Sequence, residues 1–403
     1  MDWVSNEGTP WVKIADATGE PGRFISQTKE FIRNEGRSKS VVVVPGDLVV
    51  SNSATPGMPK FLRIEACIHD GWLLLRNFKG ALPEYLYYVV LNDRKALIGK
   101  GSGSIFTNLK TEILKSHEIF LPTILEQKRI SDALGHIDDL IALNIAKSKT
   151  IENIAQTIFK SWFIDFDPVK AKMVDEKPAG MDAATAALFP DSMEESEIGV
   201  IPNGWEIAPI GNALDVGGGT TPSTTNSTYW DGEHCWTTPK DLSSQIGIIT
   251  TSSTRKITDL GLAQISSGLL PINSVLMSCR APIGYVSINA VPTAVNQGFI
   301  TMKHSAEFHP LYVLNWINAN MQEIHNRAGG ATFAEITRKA FRDIPFLKPA
   351  NTLMKKYAEL MEPLLKELEQ LTRQTENLQV VRDLLLPRLI SGELQIPEEM
   401  LAS

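Results

Sequence analysis

The chain has 403 residues, of which 43% are apolar, and a formal net charge of −7. That length is sufficient for two or three domains with cores of their own. No apolar run reaches the roughly 18 residues of a membrane-spanning helix, and the first residues lack the charged and apolar regions of a secretory signal. We therefore expect a cytoplasmic protein that does not enter a membrane.

The cysteines and histidines give no pattern of a metal site. Cys67, Cys235 and Cys279 have no metal-ligand spacing, and the seven histidines form no cluster. We expect reduced thiols and no cofactor.

The acidic charge is concentrated in one segment. Residues 167–198 carry 3 basic and 8 acidic residues, whereas 1–123 carry 15 and 13, and 199–350 carry 10 and 10. Outside the acidic segment the chain is therefore close to neutral. This removes an objection to nucleic-acid binding, although no basic stripe of the usual kind is present.

The first domain is predicted to cover 1–123. Short runs typical of strands occur at Ser40–Val44, Leu48–Ser51 and Trp72–Leu75, separated by Gly, Pro and Asn turns.

After Pro122 the pattern becomes helical, and 124–166 is predicted to be one long helix. Its apolar positions recur at intervals of three and four: Ile130, Leu134, Ile137, Ile141, Ile151, Ala155, Ile158 and Trp162. Such a seam, sustained over nearly five heptads, indicates a coiled coil. The acidic segment 167–198 has no clear periodicity and is predicted to be an extended linker.

The second half of the chain repeats the first at a separation of 227 residues. Among the matches are Gly57 with Gly284, Gly71 with Gly298, and Pro83-x-Tyr85 with Pro310-x-Tyr312. A second domain is therefore predicted at 199–350, with strands at Ile248–Thr250, Ser274–Ser278 and Phe299–Met302. A second long helix follows at 351–392, and 393–403 forms a tail.

The repeat predicts an α+β fold with two pseudo-symmetric mixed domains. The two long helices each present an apolar seam, and they most simply bury these seams against each other. At about 1.5 Å per residue, a helix of roughly 40 residues makes a spacer of about 60 Å.

Catalytic motifs are missing from the sequence. There is no Asn/Asp-Pro-Pro-aromatic methyl-transfer motif, no Gly-x-Gly-x-x-Gly after a strand, and no phosphate-binding loop with its lysine. We therefore expect the chain not to be an enzyme.

Several motifs resemble those of one family. Phe159-Lys-Ser-Trp-Phe-Ile-Asp-Phe-Asp-Pro168 and Ile201-Pro-Asn-Gly-Trp205 resemble the central region of type I restriction–modification specificity subunits. Leu384-Leu-Leu-Pro-Arg-Leu-Ile-Ser-Gly-Glu393 resembles the end of the same family. Gly218-Gly-Thr-Thr-Pro222 and Trp236-Thr-Thr-Pro-Lys-Asp-Leu242 look like the start of a target-recognition domain.

The resemblance implies a non-catalytic subunit that binds double-stranded DNA. Each domain would read one half of a bipartite sequence, and the helices would form an antiparallel coiled coil between the domains. Two methyltransferase subunits would dock on the helices, and restriction subunits would join through the complex.

Candidate DNA contacts are polar residues at equivalent loops of the two copies. Arginine and glutamine suit base readout, whereas lysine and serine suit phosphate. The candidates are Lys13, Ser51, Ser53 and His69 in the first copy, and Lys240, Ser278, Arg280, Asn296 and Gln297 in the second. Each of them is also explained by ordinary surface or turn chemistry.

Candidate docking residues lie at the ends of the helices. Trp162 and Phe163 end the first helix, and Leu389 and Ile390 occupy the equivalent places in the second. They either hold the methyltransferase or belong to the core.

The first copy departs from the pattern at its start. It lacks equivalents of Gly204-Trp205 and Gly217–Thr221. Three explanations stay open: another segment completes the domain, the chain starts further upstream, or the first domain is impaired. The alternative function is a coiled-coil scaffold that does not read DNA, or a subunit in which only the second domain does so.

Overall fold

The computed structural model describes residues 4–100, 108–330 and 334–397. Compactness divides the chain into two units. Unit 1 comprises Met1–Asn144 and Gln374–Ser403, and unit 2 comprises Ile145–Arg373. Each unit therefore holds about half of both long helices.

Unit 1 contains two sheets and short helices. Its strands are β1 (Val4–Ser5), β2 (Thr9–Val12), β3 (Phe24–Ile25), β4 (Glu30–Ile32), β5 (Val41–Val43), β6 (Leu48–Ser51), β7 (Pro59–Leu62), β8 (Ala66–Ile68) and β9 (Trp72–Leu75). Its helices are α1 (Ile14–Gly19), α2 (Asn34–Arg37), α3 (Pro83–Gly99), α4 (Thr111–Lys115) and the first part of α5 (Ile124–Phe163). The sheets have the orders β1-β4-β2-β8-β5 and β3-β7-β6-β9.

Unit 2 follows with a longer set of elements. Its helices are α6 (Asp167–Met173), α7 (Ala183–Ala186), α8 (Ile210–Ala213), α9 (Pro239–Ser244), α10 (Asp259–Leu262), α11 (Pro310–Ala319), α12 (Met321–Asn326), α13 (Arg338–Arg342) and the first part of α14 (Asn351–Ile390). Its strands are β10 (Met193–Ser196), β11 (Gly199–Pro202), β12 (Glu206–Pro209), β13 (Val216–Gly218), β14 (Trp230–Thr237), β15 (Ile249–Thr250), β16 (Arg255–Ile257), β17 (Val275–Cys279), β18 (Ile283–Asn289), β19 (Thr293–Val295), β20 (Phe299–Met302) and β21 (Pro345–Lys348).

The sheets of unit 2 repeat those of unit 1. One has the order β13-β20-β17-β18-β15 and another has the order β16-β14-β19. Strands β6, β7, β8 and β9 correspond to β17, β18, β19 and β20 at the predicted separation of 227 residues. Before residue 38 the separation is 225: α1 corresponds to α9, α2 to α10 and β4 to β16. The pairing agrees as well, since Trp11↔Cys67 and Trp236↔Ala294 are both parallel.

The long helices pack antiparallel within each unit. In unit 1, Ile130 and Leu134 of α5 share a core with Leu389 and Ile390 of α14, and Arg382 donates to Asp138 at 3.0 Å. In unit 2, the rings of Trp162 and Phe163 contact Tyr357 near the start of α14. The predicted α+β fold with two similar domains and antiparallel helices is confirmed.

The predicted extended linker is wrong in its conformation. Residues 167–198 contain α6, α7 and the first strand of the β10–β11 hairpin. Val169 and Phe189 are buried in the core of unit 2. Met181, Leu188 and Met193 pack against the same core. These apolar residues are spaced too irregularly to produce a periodic pattern in the sequence.

Within the described part of the chain, none of the helices combines the length and the apolar character needed to cross a lipid bilayer.

Candidate nucleic-acid interface

A buried serine lies at equivalent positions near the end of the same strand in both units. Ser51 Oγ donates to the carbonyl of Thr55 at 2.5 Å and accepts from the amide of Met58 at 2.9 Å. Ser278 Oγ donates to the carbonyl of Pro282 at 2.8 Å and accepts from the amide of Tyr285 at 2.9 Å. Both side chains are fully buried. Neither hydroxyl faces solvent, so the expected phosphate contacts of Ser51 and Ser278 are corrected to a structural role in the loop that follows each strand.

The turn between β19 and β20 brings three candidates together. Asn296 Oδ1 accepts from the amide of Gly298 at 2.9 Å, which fixes the turn. The carbonyl of Gly298 accepts from the amide of Cys279 at 2.8 Å, so Arg280 follows directly beside the turn. Gln297 is exposed, and its Oε1 accepts from Thr221 Oγ1 at 2.5 Å. Its amide nitrogen is left available as a donor.

Lys240 borders the same turn. It is exposed and lies in the first turn of α9, next to Pro239. A Cβ atom on Gly298 would be 2.8 Å from Cγ of Pro239, so α9 and the turn are in direct contact. The glycine is needed here because of that close approach.

Arg280 is partly engaged by an acidic neighbour. Its Nη1 lies 3.6 Å from Oε2 of Glu335, and 38% of the side chain is exposed. An exposed ion pair of this kind contributes little stability, about 0–1 kcal/mol. The guanidinium can therefore exchange this partner for a base or a phosphate.

Arg338 is a neighbour that the sequence analysis missed. Its Cδ would lie 3.1 Å from a Cβ atom on Gly218, so its side chain covers the glycine-rich strand β13. The available signal was the basic run Arg338-Lys339-Ala-Phe-Arg342 on a short helix. We define the Arg280 surface as Thr221, Lys240, Arg280, Asn296, Gln297 and Arg338.

The Arg280 surface is suited to binding and not to nucleophilic chemistry. Asn296 and Gln297 belong to the turn, Arg280 follows the strand beside it, Lys240 is next to Pro239, which contacts the turn, and Arg338 lies against β13. These side chains are of the types that contact phosphates and base edges. The one thiol nearby belongs to Cys279, and burial raises the pKa of that thiol. A buried thiol with a raised pKa is a poor nucleophile.

The corresponding surface of unit 1 has different chemistry. His69 Nδ1 accepts from the amide of Gly71 at 2.8 Å, as Asn296 does from Gly298. A Cβ atom on Gly71 would meet His69 and, at 3.1 Å, Ser53 Oγ. The structure thus brings Ser53 and His69 together, but the position of Arg280 is taken by Ser53 and the position of Gln297 by Asp70.

Lys13 and Lys240 are not structural equivalents. Lys13 precedes α1, where its amide donates to Asp16, and it corresponds to Thr238, whose amide donates to Asp241. The ammonium of Lys13 lies 2.6 Å from Glu30 and 5.3 Å from the ring centroid of Trp11. Lys13 is therefore held by its own unit.

The four candidate docking residues are buried. Trp162 and Phe163 belong to an aromatic cluster with Phe189, Tyr312 and Tyr357. Leu389 and Ile390 belong to the core of unit 1. Their predicted contact with a partner is corrected to a role in the core. The sequence shows an apolar helix face but not what covers it, and in the structure this face is buried within each unit.

The family model described as the type I restriction modification DNA specificity domain matches the chain twice, over residues 4–153 and 202–379. The chain is also similar to curated proteins. It is 26% identical to the type I restriction enzyme HindI specificity subunit of Haemophilus influenzae, covering 89% of this chain and 88% of that protein. It is 24% identical to the MjaIX specificity subunit of Methanocaldococcus jannaschii, covering 96% and 87%.

A solved structure shares the fold. The S subunit of a type I restriction–modification system from M. genitalium aligns with a TM-score of 0.53 and 14% identity, covering 96% of this chain and 90% of that one.

Proposed function

The chain belongs to the family of type I restriction–modification DNA specificity subunits, with two target-recognition domains, and we propose that its second domain reads DNA through the Arg280 surface. Each unit reads one half of a bipartite double-stranded site. The chain itself is not a catalyst and acts in the cytoplasm, where two methyltransferase subunits and the restriction subunits supply the chemistry. The double match to a DNA specificity domain favours this function over a scaffold that does not read DNA.

The observation that carries the proposal is the grouping around the β19–β20 turn. Arg280 presents a planar fork that can bind O6 and N7 of one guanine, and the exposed amide of Gln297 can bind adenine. Lys240 and Arg338 flank them with positive charge, which suits phosphates on either side of a groove. In unit 1, Ser53 and His69 occupy the corresponding place and would read a different half-site.

The methyltransferase subunits dock on the long helices, away from their buried seams. The exposed apolar side chains on these helices in unit 1 are Ile124, Leu125, Leu140, Leu143, Val380, Val381 and Leu384. Exposed aliphatic residues of this kind mark protein–protein contacts when they lie together. Leu384→Glu should reduce co-purification of the methyltransferase and leave the chain folded. Leu385→Glu should instead cause loss of folding, because Leu385 is more buried.

The test first identifies the DNA sequence that the complex recognises. Methylome sequencing of the host identifies the two half-sites, and the complex with the methyltransferase is then titrated against a panel of single-base variants at two salt concentrations. Arg280→Ala should cost about 1–3 kcal/mol and relax preference at one base position. Lys240→Ala should weaken binding to all DNA sequences alike. It should also reduce the salt dependence of binding by the amount that corresponds to about one phosphate contact.

Lys366→Ala serves as the matched control. It removes the same charge from α14 of the same unit, where Lys366 pairs with Glu362 at 3.1 Å. Its binding curves should follow the wild type. Unchanged affinity and preference in a folded Arg280→Ala variant would remove this surface from the reading site.

A further inference from the structure

An arginine of unit 2 is stacked on two tryptophan rings. Arg255 of β16 lies opposite Trp236 of β14 in an antiparallel pair, so the two side chains share one face of the sheet. The guanidinium carbon of Arg255 is 3.5 Å from the ring centroid of Trp230 and 5.8 Å from that of Trp236. The two rings contact each other edge to face, with their centroids 4.9 Å apart. We define the Arg255 stack as Trp230, Trp236 and Arg255.

The charge of the Arg255 stack is accessible. Both indole rings are buried, whereas Arg255 is exposed. In the part of the chain that the structure describes, Arg255 forms no ion pair, unlike Arg280, which lies 3.6 Å from Glu335. The ring of Trp230 covers one face of the guanidinium and leaves its N–H edge open to a ligand. Because the ring fixes the planar fork in advance, less side-chain freedom is lost when the fork donates to an anion.

The same two rings anchor a loop that is rich in hydroxyl groups. The indole of Trp230 donates to the carbonyl of Ser223 at 3.0 Å, and that of Trp236 donates to the carbonyl of Thr220 at 3.3 Å. The exposed hydroxyl residues of the loop 220–228 are Thr220, Ser223, Thr224, Thr225, Ser227 and Thr228. Hydroxyl groups and arginine are among the donors that contact phosphate oxygens of DNA.

The Arg255 stack adjoins the Arg280 surface. The hydroxyl of Thr221, next to the anchored Thr220, donates to Oε1 of Gln297 at 2.5 Å. On the other side, the amide of Thr254 donates to Oδ1 of Asp241 at 3.0 Å. Asp241 belongs to α9, the helix that also carries Lys240. The stack therefore flanks the Arg280 surface and is joined to it by hydrogen bonds on two sides.

Unit 1 places an acid at the equivalent position. Glu30 of β4 lies opposite Trp11 of β2, as Arg255 lies opposite Trp236. The carboxylate of Glu30 is 2.6 Å from the ammonium of Lys13, which is 5.3 Å from the ring centroid of Trp11. The cation beside the ring is thus paired with an acid in unit 1, and it is available to a ligand in unit 2.

We propose that the Arg255 stack binds a phosphate of the DNA backbone beside the half-site that unit 2 reads, and that the loop 220–228 donates hydroxyl groups to the same backbone. This inference rests on the function proposed for unit 2 and adds a contact outside the Arg280 surface. The contact holds the duplex in position and carries no base preference. Unit 1 does not make it, because Glu30 stands in place of the arginine.

The test uses the complex with the methyltransferase and a duplex that contains both half-sites. One phosphate contact contributes about 0.9 to the slope of log K against log salt concentration. Between about 50 and 200 mM salt, the wild type should therefore lose about 3.5-fold more affinity than Arg255→Ala. Arg255→Lys keeps the charge and loses the planar fork, so it should bind more weakly than the wild type with an unchanged salt dependence.

Lys256→Ala is the matched control. Lys256 is exposed and follows Arg255 in β16, but successive side chains of a strand point to opposite faces. Its removal takes the same charge from the same strand, and the salt dependence should stay that of the wild type. Tryptophan fluorescence verifies that each variant is folded before the titration.

Methylphosphonate substitution then locates the contact. A neutral methylphosphonate replaces one phosphate at a time along the half-site of unit 2. At one position it should weaken the wild type by about threefold or more and leave Arg255→Ala unchanged.

Equal salt dependence in the wild type and Arg255→Ala would overturn the proposal, and so would the lack of any phosphate with that behaviour. An equal loss in Lys256→Ala would assign the effect to net charge. Lost preference at one base pair would make Arg255 a base contact, and poorer co-purification of the methyltransferase at unchanged DNA affinity would make it a protein contact. Each of these results contradicts the proposal.

The base panel with Arg280→Ala is a separate measurement. Unchanged base preference in that variant would remove the Arg280 surface from the reading site. A phosphate contact found for Arg255 would stand in that case, so the two failures are distinguishable.

Discussion

In unit 2 the turn that follows β19 lies beside Arg280 and Arg338, whereas the corresponding positions of unit 1 hold Ser53 and Thr111. The residues that hold this turn, and the loop that follows β6 in unit 1 and β17 in unit 2, differ far less. Ser51 and Ser278 make the same two hydrogen bonds, and His69 and Asn296 accept from equivalent glycine amides. The comparison shows that the repeat keeps its scaffold contacts and varies the side chains that point outward. This is the expected arrangement for two similar domains that read different sequences.

A second difference lies inside the sheets. Lys60 of β7 is buried, and its ammonium donates to the carbonyls of Glu20 and Gly22 at 2.6 Å. The equivalent residue of unit 2 is Ser287, whose hydroxyl donates to the carbonyl of Ile248 at 2.9 Å. The same place in the sheet is thus ionisable in one unit and neutral in the other.

The largest expected loss of folding stability comes from substitutions at the ends of the long helices. Phe163→Ala should destabilise unit 2 by about 3–5 kcal/mol, because the ring is buried among Tyr312 and Tyr357 and leaves a cavity. Ile390→Ala, at the equivalent position, should destabilise unit 1 by about 2–5 kcal/mol. Denaturant-dependent hydrogen exchange should localise each loss to its own unit. An equal loss in both units from either variant would show that they do not unfold as separate bodies.

The next largest expected effect is a difference between the two units in the pH dependence of their stability. Burial lowers the pKa of Lys60 to about 8 from its ordinary 10.5. Between these values the unfolded chain binds more protons than the folded one, so the stability of unit 1 should rise with pH from about 8 to 10.5, by about 3 kcal/mol. Below pH 8 this contribution is constant.

Lys60→Met should abolish that rise in unit 1, and unit 2 should show no comparable rise from Ser287 in either protein. Local unfolding measured at pH 7.5, 9 and 10.5 gives the result. A rise that persists in the methionine variant would mean that another group is responsible.

The paired serines should then behave alike. Ser51→Ala and Ser278→Ala each leave a buried amide without its acceptor, and each should cost about 1–3 kcal/mol in its own unit. Ser53→Ala is the control, since this residue is partly exposed and surface changes are usually within about 0.5 kcal/mol. Thermal or denaturant unfolding provides the measurement. If Ser278→Ala lowered the free energy of unfolding and Ser51→Ala did not, the two serines would not be equivalent.

The smallest expected effect concerns cations over tryptophan rings. The guanidinium of Arg255 lies 3.5 Å from the ring centroid of Trp230, whereas the ammonium of Lys13 lies 5.3 Å from that of Trp11. Arg255→Ala should cost about 0.5–2 kcal/mol and Lys13→Ala about 0.5 kcal/mol. Chemical denaturation monitored by tryptophan fluorescence would resolve the difference, and a larger loss from Lys13→Ala would reverse the ranking.

The sequence by itself determined the repeat, the two long helices and most of the strands that matter for the site. Regular hydrophobic periods reveal such elements because one face of each must be buried. The strands predicted at Leu48–Ser51, Trp72–Leu75 and Phe299–Met302 are confirmed with the same bounds. The motif order was specific enough to indicate the family, which the double domain match then showed.

Only the tertiary structure decided the role of individual side chains. A serine hydroxyl is suited equally to a phosphate and to a turn amide, and the burial of Ser51 and Ser278 assigns them to the turns. Lys13 was a candidate because of its place in a loop, but only the fold places Glu30 beside it. Arg338 comes close to Arg280 because Glu335 and Ile336 pair with Arg280 and Cys279 across more than 50 residues of sequence. No local pattern encodes a contact over that distance.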